Sequence, residues 1–242
     1  MQYEIILALS LASGVLGTAL GGGLAFFLGN PKDRTLSSVM SFCAGLMLAV
    51  VCFDLIPSSL ASGGFALGFG GVLFGVGTGM AVDSLLMRLK RDDKGSPLVR
   101  AGLMLVIGVA LHNFPEGLAV GVGFIKSVSY GVGMCLVIAL HDIFEGIAMV
   151  TPLVAGGWKA GKAFLYAALS GLPTALGAGL GLWAGEISQW VIDFSLAYAG
   201  GAMLYVVVGE LMPEAYELHR GRLNVMGLCF GVLAGIALTA AF

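Results

Sequence analysis

Two histidine–glutamate pairs dominate the chemistry available to this 242-residue chain. The stretch VIGVALHNFPEGLAVGVGF carries His112 and Glu116, and CLVIALHDIFEGIAMVTP carries His141 and Glu145. A spacing of four puts both side chains of a pair on one helix face, about one turn apart. Both stretches are otherwise apolar. A charge at the centre of a membrane helix costs ~2.5–3.5 kcal/mol on the insertion scale, so Glu116, Glu145 and Asp142 would together cost on the order of 8–10 kcal/mol if unpaired. A divalent cation between them offsets that cost. A hydrogen-bonded His–Glu contact would account for one such pair, but HxxxEG occurring twice on neighbouring helices points to a metal centre. Imidazole with carboxylate suits zinc, iron(II), manganese and cadmium better than magnesium or calcium.

The elements that must position these residues are membrane helices. The chain is 58% hydrophobic and 11% charged, against ~25% charged in ordinary soluble domains. The expected fold is all-α and integral to the lipid bilayer, one transmembrane domain over residues 1–242. Eight spanning segments of about the ~20 residues a spanning helix needs can be drawn. They cover approximately 4–28, 36–57, 65–87, 99–124, 128–153, 160–184, 189–212 and 223–241. GNPKD, PSSLASGG, RDDKGSP, FIKS and AGGWKAGK supply turn chemistry between them. The N-terminal residues lack a basic region, so the first apolar stretch reads as a retained helix. Glycine-rich registers such as Gly71/Gly75/Gly79, Gly177/Gly181/Gly185 and Gly227/Gly231/Gly235 read as close helix packing, and such faces permit a homodimer. The four cysteines form no CxxC pair and read as small hydrophobes. A net charge of -2 and a pI near 5.9 give no reason to expect a nucleic-acid partner.

Orientation follows from the basic residues. Eleven of the twelve lysines and arginines fall in odd-numbered connections, leaving Lys126 alone on the other side. The positive-inside rule puts the odd connections in the cytoplasm and both termini outside, as expected of a multi-pass protein of the cell membrane. FDLIPSS and GELMPEA form an internal echo, an acid followed three residues later by proline. They fall in oppositely directed helices, where an inverted repeat would place them.

Other residues have two readings. Pro115 leaves the carbonyl of Leu111 without a helical donor or simply kinks its helix. Met47 and Met149 offer thioethers or pack. Asp54, Asp83 and Glu210 are way-stations for a cation or solvated helix-end charges, with Asp54 near the outer mouth and the other two near the cytoplasmic one. Glu4, Glu186 and Asp193 read as outer-surface residues, and His219, Glu214 and Glu217 as cytoplasmic surface.

HNFPEG and HDIFEG on consecutive helices resemble the signature of the ZIP (Zrt-, Irt-like) family of divalent-metal transporters, and the eight segments extend the resemblance along the chain. It implies cation movement into the cytoplasm, three-two-three helix packing with inverted outer repeats, and alternating access by sliding of one helix bundle against another. No cofactor is implied; zinc or another divalent transition metal is the transported ligand. The primary ligands would be His112, Glu116, His141 and Glu145. Asn113 and Asp142 match polar positions that can serve a second metal, and Met47 a methionine beside the primary site. Asp54 resembles an entrance position, and Asp83 and Glu210 exit positions. Phe144 replaces a common proline, Thr174 stands where some bacterial members carry glutamate, and no histidine lies in the third connection. Against two divalent charges the centre offers Glu116, Glu145 and Asp142, so one tightly held ion is expected, with at most a weak second site.

An intramembrane metallohydrolase is the alternative, but no HExxH is present and Asn113 and Asp142 follow the histidines; no GxSxG occurs either. A carrier of organic solutes driven by protons could also use buried acids.

Overall fold

The computed structural model describes residues 3–28, 32–89 and 97–240, and all of its regular structure is helical. In order, the elements are α1 (Tyr3–Leu28), α2 (Asp33–Val50), a π-helical turn (Val51–Leu55), α3 (Ile56–Leu89), α4 (Pro97–Lys126), α5 (Val128–Ala155), α6 (Ala160–Ser170), α7 (Leu172–Gly185), α8 (Gln189–Val206), a second π-helical turn (Val207–Leu211), α9 (Met212–Leu218) and α10 (Arg222–Thr239). Lys90, Arg91 and Lys94 lie outside the described residues.

Among the described residues seven helices are long and apolar enough to cross a membrane. One of them, Asp33–Leu85, runs 53 residues. That is about 80 Å of helix at 1.5 Å per residue, more than twice the ~30 Å hydrocarbon core. It breaks at Gly64, where φ is 76° and ψ 169°, a conformation that residues with a Cβ rarely adopt. The expected turn at PSSLASGG is therefore largely helical and concentrates its change of direction in one glycine. Pro57 is accommodated because it falls in the first turn after the π turn, where no α-helical donor is required of it. The expected span 160–184 is two helices, broken at Gly171 with Pro173 opening α7. Between α4 and α5 only Ser127 intervenes; its hydroxyl accepts from the Tyr130 amide at 3.1 Å and caps α5.

The helices pack in two sets. Helix α1 lies on α5, α4 on both α5 and α7, and α6 on α1; separately, α3 lies on α8, and α2 on α9 and α10. Glycine makes these contacts close. A Cβ on Gly21 or Gly146 would overlap the backbone of the facing α5 or α1, and one on Gly117 or Gly177 the backbone of α7 or α4. In the second set Gly75 and Gly201 do the same between α3 and α8, and Gly45 and Gly231 between α2 and α10. Among the described residues, every glycine whose added Cβ would meet another helix's backbone does so within its own set. The sets meet each other mainly where α4 reaches α8 and α2 reaches α5.

Asp193 does not lie on the surface as expected. It is 2% exposed and accepts hydrogen bonds from Ser62 Oγ at 2.5 Å and Gln189 Nε2 at 2.9 Å. Those donors, one from α3 beside the Gly64 break, satisfy the carboxylate and let it be buried. His219 is half-buried rather than exposed; its carbonyl accepts from Ser37 and Asn224.

Candidate metal centre

Helices α4 and α5 run antiparallel from a one-residue connection, and this register brings the two pairs together. The pairing is crossed between helices. His112 Nε2 lies 3.1 Å from both carboxylate oxygens of Glu145, and His141 Nε2 lies 3.0 Å from Glu116 Oε1. Asp142 Oδ1 is 3.5 Å from His141 Nε2, outside hydrogen-bond geometry. All five residues are at most 2% exposed.

One imidazole has a defined orientation. His141 Nδ1 lies 3.0 Å from the carbonyl oxygen of Val137, which can only accept, so Nδ1 carries hydrogen. In a neutral ring, Nε2 then presents a lone pair to Glu116 and Asp142. Three acceptors facing one another require a positive species between them, a proton or a cation. An imidazole held from behind by a backbone carbonyl is also the arrangement that fixes a metal-ligating histidine.

The separations fit a small transition metal. Bonds of ~2.0–2.2 Å to nitrogen and oxygen in a tetrahedral site imply ligand atoms roughly 3.3 Å apart, and the observed distances around His141 are 3.0 and 3.5 Å. Ligand atoms of Glu116, His141 and Asp142 all lie within 4.8 Å of one another. Glu116 Oε2 and both Asp142 oxygens are buried without a hydrogen-bond partner. Each such acceptor costs about 1–3 kcal/mol, and a coordinated cation removes that cost.

Other predicted residues sit around this cluster rather than in it. Asn113 donates from Nδ2 to the carbonyl of Ser170 at 2.9 Å, tying α4 to the break between α6 and α7, while its Oδ1 is unpartnered. Thr174 is fully buried with its hydroxyl unpartnered. Met47 is fully buried in the apolar core, and Met149 accepts from Ser170 Oγ at 3.5 Å. Helix α5 is unbroken through Phe144, whose ring packs edge-on against Phe42 of α2 at 5.2 Å. Asp83 accepts from the Tyr205 hydroxyl at 2.9 Å.

Asp54 and Glu210 occupy matching places, each the fourth residue of a π turn. Such turns recur at functional sites because the extra residue redirects side chains. Asp54 accepts from the Tyr130 hydroxyl at 2.8 Å. Glu210 lines a cavity of about 360 Å³ between α3, α4 and α8 that reaches His112 and Pro115. Tyr130, Ser170 and the Val137 carbonyl were not among the sequence candidates; a backbone acceptor and a hydroxyl carry no distinctive spacing.

A polytopic helical membrane protein with a buried imidazole–carboxylate centre on two central helices is, as a class, a candidate cation carrier. Comparison with known proteins narrows the class. Residues 85–242 match the family described as ZIP Zinc transporter. The chain is 32% identical over 246 residues to the zinc transporters ZupT of Escherichia coli O7:K1, O127:H6 and K12, covering 97% of this chain and 94% of each relative. The chain belongs to the ZIP family of transporters, not to an enzyme family.

Proposed function

We propose that this protein carries divalent transition-metal cations, zinc first, into the cytoplasm through a site formed by His112, Glu116, His141 and Glu145. The observation that carries the reading is the His141 ring, fixed by Val137 so that Nε2 confronts Glu116 and Asp142. Family membership and the ZupT relatives make zinc the first cargo to test. The carrier takes one ion at a time. Asn113 turns its amide to Ser170, and Thr174 adds no charge to a second site.

The same reading takes the 53-residue helical stretch as two spans separated at Gly64, giving eight. The contact pattern supports inverted repeats. Exchanging the first three spans with the last three, and α4 with α5, turns the α1–α5 contact into α4–α7 and the α3–α8 contact into α2–α10. The two π turns exchange as well. The centre belongs to one set and the two mouths, at Asp54 and Glu210, to the other, so sliding of the sets alternates access. The distribution of basic residues supports a cytoplasmic Glu210 mouth, with Asp83 beside it and Met47 as an apolar wall.

Metal uptake into proteoliposomes tests this directly. The protein should drive zinc uptake, and Glu116→Ala or Glu145→Ala should lower it more than about tenfold while the protein stays in the membrane. Near-normal uptake by both variants would refute the centre.

A further inference from the structure

The contact between Asp54 and Tyr130 joins the two helix sets at one mouth. Asp54 lies on the π turn between α2 and α3, and Tyr130 on the first turn of α5, the helix that carries His141. The tyrosine hydroxyl donates to Asp54 Oδ1 at 2.8 Å, and Ser58 Oγ lies 3.4 Å from the same oxygen. Above the tyrosine ring stands the ammonium of Lys126, 4.4 Å from the centroid. A small crevice beneath is lined by Val50, Asp54, Tyr130, Met134 and Val137. Val137, one of its lining residues, is the residue whose carbonyl holds His141 Nδ1. Both members of the Asp54–Tyr130 pair therefore line the crevice together with Val137, one helical turn before His141.

We infer that Tyr130 is a positioning residue that latches the Asp54 mouth shut by binding the carboxylate an arriving cation would use. The inference rests on the proposed role of Asp54 as the entrance. A cation reaching Asp54 competes with a neutral hydroxyl for the same lone pairs, and its double charge favours it. Taking the carboxylate releases Tyr130, and with it the tie between the set that holds the mouth and the set that holds the centre. Loading and opening then become one event. Lys126 holds its positive charge over the same ring and packs the tyrosine at the mouth. The other mouth is differently built: Glu210 lies on a cavity reaching His112.

The test uses the full chain in proteoliposomes with the exposed Cys52 and Cys229 replaced by Ser and a reporter at Val50→Cys, labelled by an impermeant maleimide. Tyr130→Phe keeps the ring and removes only the hydroxyl. It should speed labelling roughly tenfold, the population shift expected from losing a hydrogen bond to a charged group, and zinc should speed labelling of the parent but not of Tyr130→Phe. In an Asp54→Ala background the mouth is already unlatched, so Tyr130→Phe should add nothing. An unchanged labelling rate in a monodisperse Tyr130→Phe protein overturns the latch, as does an equal effect with and without Asp54. Zinc uptake in the same vesicles separates the two ideas. Absence of protein-dependent zinc uptake overturns the transport reading and the latch with it, whereas uptake that depends on Glu116 and Glu145 with unchanged labelling overturns the latch alone.

Discussion

The helix set that carries the His112–Glu145 cluster and the set that carries Asp54 and Glu210 are built alike inside and meet each other differently. Within each, glycines let backbones touch: Gly21 and Gly146 between α1 and α5, Gly45 and Gly231 between α2 and α10. Between them the contacts are made by side chains, such as the Phe42 ring against Phe144 and Glu210 Oε2 near Gly108. Backbone contact with no side chain between is hard to shear, because neither partner has rotamers with which to give way. Contacts through side chains can be exchanged one rotamer at a time. The difference teaches where motion is allowed, along the boundary and not within either set.

The largest expected effect breaks one set from inside. Gly146→Val puts a branched side chain against the backbone of α1, and Gly231→Val does so against α2. Both should lower the melting temperature in detergent by more than about 5 °C or prevent accumulation of folded protein. A variant of either kind that melts normally would deny that the sets are rigid. At the boundary, Gly108→Ala meets only the end of the Glu210 side chain, 2.9 Å away. Its melting temperature should stay within about 2 °C of the parent.

A second prediction concerns the positive species between His141, Glu116 and Asp142. If zinc takes the place of a proton, binding releases that proton, and affinity falls as pH falls. The fall approaches tenfold per pH unit for one displaced proton. Titration calorimetry in buffers of different ionisation enthalpy would count the protons; an affinity that does not weaken in acid would contradict the exchange. Smaller still is the effect of Asn113→Ala. It removes a hydrogen bond between α4 and the α6–α7 break but no charge, and should lower uptake only about two- to fivefold. Smallest in uptake is Thr174→Glu, which adds a carboxylate in the same set. It should strengthen a second zinc site, visible as a second anomalous peak after a soak, and two near-equal peaks without the substitution would deny a single-ion centre.

Much of this arrangement was legible in the residues. The spacing of His112 from Glu116 and of His141 from Glu145 gives one face on each helix, and hydropathy gives the helices. Which carboxylate each imidazole meets was not legible. That depends on the antiparallel register of α4 and α5, which the one-residue link at Ser127 sets. The echo of FDLIPSS in GELMPEA pointed to matched places, but not to π turns, because a single extra residue barely changes an apolar pattern. Asp193 misled because a carboxylate near a helix start reads as solvated unless its donors are known, and Ser62 is far away in sequence. Among the glycine registers, Gly71, Gly75, Gly177, Gly181, Gly227, Gly231 and Gly235 do meet facing backbones, whereas Gly79 meets the Tyr205 ring and Gly185 the Ile125 side chain.

The π turns at Val51–Leu55 and Val207–Leu211 also have a meaning in residue counting. A π turn holds one residue more than the α-helix it interrupts, so each is an insertion of one amino acid into a helix that otherwise continues. Removing a residue such as Cys52 would restore an ordinary helix, and because the turn alone takes up the extra residue, the helix beyond would keep its facing while the turn's own side chains are re-aimed. The change falls on the turn itself, and Asp54 would turn away from the crevice. Single-residue deletions at these two places should therefore leave the fold standing and lower transport through the displaced Asp54 and Glu210.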